Sequence, residues 1–530
     1  MPRAPKDPPP APATFDAGAF PTTEEMICLP DYGGIKTPTN VQLAIARAMD
    51  GVPIGDLWKD KNVKRAFGGK KPPPVPPRTM VVLAGTRCGK SLLASRRIIR
   101  SAFTCSLDGL VPGDQVRVPC LATGLDTADY VFSHALACVK SQRLAGSIVG
   151  RPLSREFRIA RQGPVENVEI STNALTSKGS NLVGSWLGGA AFDEAPRMAS
   201  EHDSVRSLKA SRRSVADRIL PGGQELLIGS PYGPTGDVYE LWKERFGHPD
   251  EDVVIVQTSG PMMNPRHWTP AMMELMKRTD PFVYVTSGLG EFADPPDTLI
   301  PSKAAESAMG GDEEREPVRD RVTSALVHEY VAALGAAERG SGWTLTIIRT
   351  VAEVAGQRML EQCVSRQWFN SVGNPLASRK VLAEVAATCK RYGLDYVFIN
   401  QRFVNSYLEA ANAVDLGLCG VEVNGDQRIE ICDKLRDAIV EERLSLTSNR
   451  QQYSDLVHVQ KKPTVNGIQV QYPSSGEGVS CDFIEPLGLC VTYAPDAPTK
   501  GDARDGGNDG WGTTSRHRPS GGRRLAMGMN

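Results

Sequence analysis

The chain has 530 residues, of which 40% are hydrophobic and 23% are charged, and its 61 lysines and arginines are balanced by 61 aspartates and glutamates. This composition is typical of globular proteins, and the length predicts two or three domains. The zero net charge argues neither for nor against a nucleic-acid partner. The lack of a long apolar run or a signal-peptide core argues against a membrane-spanning or secreted protein, so we expect a cytoplasmic location.

The cysteines also bear on the compartment. The sequence has 11 of them, with no C-x-x-C pair and no cysteine–histidine cluster at zinc spacing. This pattern indicates a reducing compartment rather than a disulfide framework. Cys120, Cys138 and Cys490 are predicted to be core residues.

Both ends of the chain predict disorder. Residues 1–22 are rich in proline and alanine, and residues 495–530 are rich in glycine, aspartate and arginine. Between Lys59 and Arg78 there are seven basic residues and one acid, which suits either a phosphate backbone or a solvated loop. The proline-rich part of this stretch, Lys70–Pro77, is predicted to be a stiff connector.

Residues 81–91, VVLAGTRCGKS, combine an apolar strand with a glycine-rich turn. Gly85 and Gly89 allow a tight turn whose backbone N–H groups can face phosphate oxygens. Lys90 supplies a positive charge for the β- and γ-phosphates, and the Ser91 hydroxyl is a ligand for Mg²⁺. The helix that follows presents its positive end to the same anion. The segment therefore predicts a nucleoside-triphosphate site of the Walker A kind.

This loop departs from the usual pattern in two places. Ala84 stands where the motif has glycine, and Arg87 adds a cation inside the loop. A chance Gly-Lys-Ser turn is the alternative interpretation. The predicted nucleotide-binding residues of the loop are Gly85, Thr86, Arg87, Cys88, Gly89, Lys90 and Ser91.

A second apolar run, LGGAAFDE, ends in Asp193 and Glu194, about a hundred residues after the loop. At the carboxyl edge of a parallel sheet, Asp193 would hold Mg²⁺ opposite Ser91, and Glu194 would orient and deprotonate the attacking water. A third segment, LLIGSPYGPTGDVYELW, places Ser230 at the end of another strand. A small polar residue there can sense the γ-phosphate, although a simple Gly/Pro turn is the alternative.

From residue 80 to about 260, strand candidates alternate with helical segments, which predicts a parallel α/β sheet. The predicted strands are Met80–Ala84, Val116–Thr123, Asn167–Ser171, Leu187–Phe192, Glu225–Ile228 and Val253–Gln257, and the predicted helices are 90–103, 126–140, 204–218 and 236–246.

Residues 295–319 are polar and punctuated by prolines, which predicts a linker. Three apolar stretches then predict an antiparallel meander, followed by a helix, a strand and further helices, in the order β-β-β-α-β-α. The stretches are Thr323–Leu334, Trp343–Ile348 and Met359–Val364, and the later elements are helix 376–391, strand 395–399 and helices 404–414, 426–440 and 483–493.

In order and spacing, these motifs resemble the large terminase subunit of tailed double-stranded DNA phages, the motor that packages DNA into the prohead. The resemblance extends from about Thr37 to Tyr493 and includes GLGEFADPPDTLIP at residues 288–301. It implies ATP hydrolysis coupled to DNA translocation, with Lys90, Arg87, Asp193, Glu194 and Ser230 as the catalytic residues.

The resemblance also implies two further kinds of residue. Gln42, in the segment TPTNVQLAIARAM, would contact the adenine, although a surface glutamine on a helix is the commoner explanation. A charge-compensating arginine is expected from the same chain or from a neighbouring subunit. Its candidates are Arg161, Arg212 and Arg213.

The family pairs its motor with a nuclease domain of the RNase H/RuvC kind, which cuts with two metal ions held by at least three carboxylates. At the family's three acidic positions this chain has Gly335, Asn400 and Asp482, so one acid remains. The nearby acids Glu338 and Asp395 are poorly placed to compensate. We therefore predict that the nuclease fold is kept and its activity lost or weak; the alternative is that other carboxylates build the site.

The sequence thus predicts an α/β protein with a P-loop NTPase parallel-sheet domain (23–294), a linker (295–319) and an RNase H/RuvC-like mixed-sheet domain (320–494). The expected cofactors are ATP and Mg²⁺, with Mg²⁺ or Mn²⁺ binding poorly, if at all, around Asp482. The partners implied are double-stranded DNA, a portal protein, a small terminase subunit and further copies of the chain in a ring, without a membrane. A helicase-like ATPase, or a domesticated or prophage-derived terminase-like DNA-binding protein, remains an alternative.

Overall fold

A computed structural model describes residues 20–175, 184–198, 208–310, 314–336, 342–369, 377–464, 467–472 and 482–497. The chain divides into two compact units, with the boundary between Pro295 and Pro296. Each unit is organised around a β-sheet whose two faces are covered by separate apolar cores. Within the described parts of the chain, no helix is both long enough and apolar enough to cross a membrane.

The first unit is built on a nine-stranded sheet in the spatial order β3-β4-β5-β2-β7-β8-β1-β9, with β6 beside β2. Every pairing from β5 to β9 is parallel, and only the β3–β4 and β4–β5 pairings, at one edge, are antiparallel. The strands are β1 (Thr79–Ala84), β2 (Val116–Ala122), β3 (Ile148–Val149), β4 (Glu156–Ala160), β5 (Asn167–Ala174), β6 (Trp186–Leu187), β7 (Ala190–Asp193), β8 (Glu225–Gly229) and β9 (Val253–Thr258).

Helices cover both faces of this sheet, which is why β1 is buried along its whole length and is apolar at nearly every position. The helices are α1 (Thr23–Cys28), α2 (Asn40–Met49), α3 (Lys61–Ala66), α4 (Lys90–Thr104), α5 (Leu125–Val139), α6 (Leu208–Ala216), α7 (Gly236–Arg245), α8 (Gly260–Met263), α9 (Pro270–Thr279) and α10 (Pro281–Val283). A π-helical turn, Tyr284–Leu289, follows α10.

The second unit contains a six-stranded mixed sheet in the order β14-β13-β10-β11-β12-β15. Strands β10 to β12 form an antiparallel meander, and β13 joins β10 in parallel. The strands are β10 (Tyr330–Gly335), β11 (Trp343–Val354), β12 (Gln357–Trp368), β13 (Tyr396–Asn400), β14 (Gly417–Val421), β15 (Leu444–Ser445) and the hairpin β16 (Gln460–Thr464) and β17 (Gly467–Gln471).

Successive residues of this sheet point to opposite faces, so Ala333 and Leu334 on β10 belong to different cores. Helices α12 and α13 cover one face, and α14 and α16 cover the other. The helices of this unit are α11 (Ser302–Ala308), α12 (Ser378–Arg391), α13 (Gln401–Asn412), α14 (Gly425–Val440), α15 (Arg450–His458) and α16 (Ile484–Thr492).

The predicted fold class is confirmed by these two sheets, and each predicted strand of the first unit is present within a few residues. The strand predicted over Thr323–Leu334 begins only at Tyr330. Its first predicted residue, Thr323, lies instead in a turn in which the carboxylate of Asp320 accepts the N–H groups of Val322 and Thr323. The elements that were not predicted are strands β3, β4, β14 and β15, helices α1, α3, α8–α11 and α15, and the β16–β17 hairpin.

Several other expectations meet the structure at particular residues. Within the predicted linker 295–319, Leu299, Ile300 and Ala305 pack into the core of the second unit. Most of the two predicted disordered tails, and residues 199–207 at the start of the predicted helix 204–218, lie outside the described residues. The three cysteines predicted to lie in the core are buried.

Candidate nucleotide-binding site and candidate metal site

The phosphate loop lies at the carboxyl end of β1, between that strand and α4. Ala84 is the last strand residue and keeps an extended backbone, so alanine fits where the usual motif has glycine. At position 85, in contrast, only glycine fits, because an ideal Cβ there would lie 1.9 Å from the backbone oxygen of Ser287 in the π-helical turn. Arg87 and Gly89 adopt left-handed backbone angles, with φ of 55° and 83°.

Three side chains from outside the loop hold its backbone from behind. Trp268, Asn264 and Gln42 donate to the carbonyl oxygens of residues 86, 87 and 88 over 3.0, 2.7 and 3.2 Å, respectively. Since a trans peptide unit points its N–H away from its C=O, these bonds turn the N–H groups of residues 87–89 in the opposite direction. Nests of backbone N–H groups of this kind bind anions.

Gln42 therefore has a position that the sequence did not predict. Its amide oxygen accepts the N–H of Thr39 and caps α2, while its amide nitrogen holds the loop at Cys88. A contact of Gln42 with adenine stays a prediction. Asn264 and Trp268 were missed, because no spacing in the sequence indicates that the segment after β9 returns to the loop.

Lys90 is buried and its amino group reaches three oxygens. It donates to the backbone oxygens of Ala84 (2.9 Å) and Gly85 (2.8 Å) and to the Ser230 hydroxyl (3.3 Å). Burial lowers the pKa of Lys90, and the nearby charge of Glu194 is the largest opposing contribution. The structure thus joins Lys90 to Ser230 at the end of β8, as the parallel order of β1 and β8 requires.

Asp193 lies at the end of β7, and its carboxylate accepts the Ser91 hydroxyl over 3.2 Å. Burial and the neighbouring Glu194 raise the pKa of Asp193 to about 6, against the lowering effect of Lys90. A buried carboxylate beside a serine hydroxyl at a helix N-terminus is a suitable donor pair for a divalent cation. The two predicted magnesium ligands are therefore close together.

Glu194 follows in a turn with an unusual backbone. Its φ is 54°, a left-handed value for a non-glycine residue, and its N–H donates to Asp193 Oδ1 over 2.9 Å. One carboxylate oxygen, Oε2, is buried and has no hydrogen-bond partner among the described residues. The Nε of Arg197 lies 3.6 Å from Oε2 and forms an ion pair with it. Arg197 was not predicted, although its i,i+3 spacing from Glu194 is compatible with an ion pair.

Arg87 and the three candidates for the charge-compensating arginine lie in different places. Arg87 is exposed on the loop, and no ion pair is recorded for it among the residues the structure describes. Arg161 donates to Ala102 O and Cys105 O at the far end of α4. Arg212 forms a bidentate ion pair with Glu225 at the amino edge of the sheet, and its neighbour Arg213 is exposed.

The packing around the loop leads to a prediction about two adjacent positions. Gly85→Ala should displace the loop from the π-helical turn and weaken nucleotide binding by at least about 100-fold, because backbone rather than a flexible side chain blocks the added methyl group. Ala84→Gly, which restores the usual motif, should change the affinity less than about threefold. Titration with a fluorescent ATP analogue checks both; equal affinities for the two variants would contradict the assigned packing.

In the second unit, the three positions predicted for the nuclease site lie at one end of the sheet. Asn400 ends β13 and donates to Glu485 Oε1 over 2.8 Å, while its own Oδ1 caps α13. Asp482, just before α16, accepts the N–H of Gly342 over 2.9 Å. Gly335, at the end of β10, has no room for a side chain, since its ideal Cβ would lie 2.3 Å from Thr344 Oγ1.

Two carboxylates, Asp482 and Glu485, are thus close to this end of the sheet. Among the residues that the structure describes, no group of three or more His, Cys, Asp or Glu side chains is arranged to hold a metal ion. Glu338 lies outside the described residues. Asp395 precedes β13 and so lies at the opposite end of that strand from Asn400.

Neither protein-family models nor curated proteins match the chain. Solved structures do. The large terminase of bacteriophage HK97 is 15% identical, with 86% of this chain and 100% of that chain covered and a TM-score of 0.45. The large terminase of a thermophilic bacteriophage is 8% identical, with 86% of this chain and 99% of that chain covered and a TM-score of 0.35.

The large terminase nuclease of another thermophilic phage, G20c, is 13% identical, with 38% of this chain and 100% of that chain covered and a TM-score of 0.30. The solved structures to which the chain is similar are bacteriophage large terminases, the family that its phosphate-loop and acidic motifs resemble.

Proposed function

We propose that the protein is an ATPase motor that moves double-stranded DNA into a viral prohead, as a large terminase subunit does. The observation that carries the proposal is the meeting of three strand ends at hydrogen-bond distance. Ser91 lies 3.2 Å from Asp193, and Lys90 lies 3.3 Å from Ser230. These two contacts bring together a phosphate loop, an acidic pair and a polar turn, which are the elements that phosphoryl-transfer sites use.

Each residue has a role that its position supports. The backbone N–H groups of the loop and the Lys90 ammonium bind the phosphates of ATP, and Ser91 and Asp193 would hold Mg²⁺. When bound, Mg²⁺ neutralises the charge that develops on the phosphates. Glu194, adjacent to that site, orients the attacking water and accepts its proton. Ser230, bonded to Lys90, is placed to report the state of the γ-phosphate.

The pKa of Asp193 gives this site a pH dependence. Below pH 6 the carboxyl of the nucleotide-free protein holds a proton, and Mg²⁺ must displace that proton to bind. The Mg²⁺-dependent part of ATP affinity should therefore fall about tenfold per pH unit below pH 6 and level off above pH 7. Nucleotide titrations from pH 5 to 8, with Mg²⁺ and with EDTA, measure it. Asp193→Asn should bind weakly at every pH; a pH-independent wild type would contradict the assignment.

We propose further that the second unit keeps a nuclease fold with a degenerate metal site. Gly335 offers no ligand, and the amide of Asn400 is engaged by Glu485 and by the cap of α13. Two carboxylates hold two divalent cations poorly. The unit then serves to grip DNA or other packaging components rather than to cut.

The proposed partners are double-stranded DNA, a portal ring, a small terminase subunit and copies of this chain, in the host cytoplasm.

One experiment distinguishes a translocase from a helicase. The purified protein with ATP should displace a triplex-forming oligonucleotide from linear duplex DNA and leave a forked duplex wound. Unwinding of the fork without displacement of the triplex would favour the helicase alternative and overturn the proposal.

A further inference from the structure

The turn that carries the proposed general base is tied to the turn that carries the phosphate sensor. The Arg197 guanidinium is 4.9 Å from the centre of the Tyr232 ring, and its Nε is 3.6 Å from Glu194 Oε2. Tyr232 lies two residues after Ser230. Arg197 therefore stands between the base and the sensor, and it touches both turns.

The backbones of the two turns are also packed together. An ideal Cβ at Gly229 would lie 2.4 Å from Pro196 Cδ and 3.2 Å from Glu194 Cα. Because residue 229, at the end of β8, is a glycine, the turn that contains Glu194 can pack directly against the turn that begins at Ser230. The left-handed backbone of Glu194, held by its N–H bond to Asp193, limits the directions its side chain can take. Backbone strain of this kind collects where a functional geometry is imposed.

We propose that Arg197 is a positioning residue for ATP hydrolysis, which fixes the carboxylate of Glu194 and, through Tyr232, couples that carboxylate to the turn of Ser230. Its chemistry suits this role. The guanidinium can face a carboxylate with its N–H edge and an aromatic ring with its plane at the same time. At 3.6 Å the contact is an ion pair rather than a hydrogen bond, and Oε2 has no hydrogen-bond partner in the described parts of the chain, so Arg197 acts on the carboxylate through its charge.

The inference rests on the proposed ATPase function and predicts a particular kinetic pattern. Arg197→Ala should lower kcat about 30- to 100-fold, because a misplaced catalytic group costs about 10²-fold, and should change the dissociation constant for ATP less than threefold. Arg197→Lys, which keeps the charge but not the planar group, should recover part of the loss. Tyr232→Leu should lower kcat about three- to tenfold.

Coupling is tested by combining the substitutions. The double variant Arg197→Ala/Tyr232→Leu should be no slower than Arg197→Ala alone, since the two residues act through one contact. In a Glu194→Gln background, Arg197→Ala should cause no further loss. An unchanged kcat, a rise in the ATP dissociation constant matching the fall in kcat/KM, or multiplicative losses in the double variant would each overturn the inference.

Two controls distinguish a failure of the inference about Arg197 from a failure of the proposed ATPase function. If the wild-type protein does not hydrolyse ATP, the proposed function fails first. If the wild type hydrolyses ATP and Glu194→Gln does not, while Arg197→Ala keeps the wild-type rate, only the role of Arg197 is wrong. Nucleotide binding and the thermal midpoint of each variant establish that it is folded, and the Lys and Leu variants remain informative if Arg197→Ala is unstable.

Discussion

Replacement of Glu194 by glutamine should reduce the rate of ATP hydrolysis by roughly 10²- to 10⁴-fold while the protein still binds ATP. Glutamine keeps the size of the side chain but cannot accept a proton from water. The backbone bond from residue 194 to Asp193 is unaffected, because it uses only the main-chain N–H. The loop, Lys90 and Ser91 should therefore hold nucleotide as before.

The measurement is steady-state phosphate release together with nucleotide titration on the same preparation. Glu251→Gln is a matched control, because Glu251 is exposed and precedes β9, at the edge of the sheet opposite the phosphate loop. That variant should hydrolyse ATP at the wild-type rate. Near-wild-type turnover by Glu194→Gln would show that another group activates the water.

Introducing the missing acid at position 335 should damage the second unit rather than restore a nuclease. The ideal Cβ of Gly335 meets Thr344 Oγ1 at 2.3 Å and the backbone oxygen of Asp482 at 2.8 Å, so a carboxylate would be forced against buried oxygens. We expect Gly335→Asp to destabilise this unit by at least about 2 kcal/mol. Gly425→Asp, at the start of α14 with nothing within 4 Å of its ideal Cβ, is the matched control and should be neutral.

Thermal unfolding of the two variants measures the difference. Supercoiled plasmid incubated with Mn²⁺ then tests activity: the wild type should leave it intact, and Gly335→Asp/Asn400→Asp should not gain nicking. Nicking acquired by the double variant and lost again with Asp482→Ala would show that this sheet end opens to form a metal site. Nicking by the wild type that survives Asp482→Ala would show that the metal site lies elsewhere.

The positions of the candidate site residues in the first unit could be predicted because each of them lies in a short, local sequence segment. A parallel strand that is buried on both faces must be apolar, and its carboxyl end must carry the functional turn. For this reason Lys90, Asp193 and Ser230 could be predicted as site residues without knowledge of the strand order. The order β7-β8-β1 then brings these three strand ends together in space.

Contacts between segments that are far apart in the chain could not be predicted from a local sequence pattern. Asn264 and Trp268 reach the phosphate loop after more than 170 intervening residues, and no local pattern encodes that return. The need for glycine at position 85 arises likewise from the approach of Ser287 rather than from backbone angles. Within this chain, Arg161 and Arg212 contact helix and strand ends far from the loop. A charge-compensating arginine supplied by a neighbouring subunit stays a prediction.

In the second unit, the sequence predicted which positions would meet but not the space around them. Gly335, Asn400 and Asp482 do lie at one end of the sheet, as the β-β-β-α-β-α order requires. Glu485, which engages Asn400, was not predicted, because its proximity depends on the angle at which α16 crosses the sheet. The absence of room at Gly335 is likewise a property of packing.

The most direct test of the proposed motor function is to measure the rate of ATP hydrolysis as linear double-stranded DNA is added to the purified full-length protein. We predict slow hydrolysis without DNA, clear stimulation by duplex DNA, and loss of both rates in Glu194→Gln. Hydrolysis that is absent, or whose rate does not change at any concentration of DNA, would contradict the proposal that this chain is a DNA-translocating ATPase.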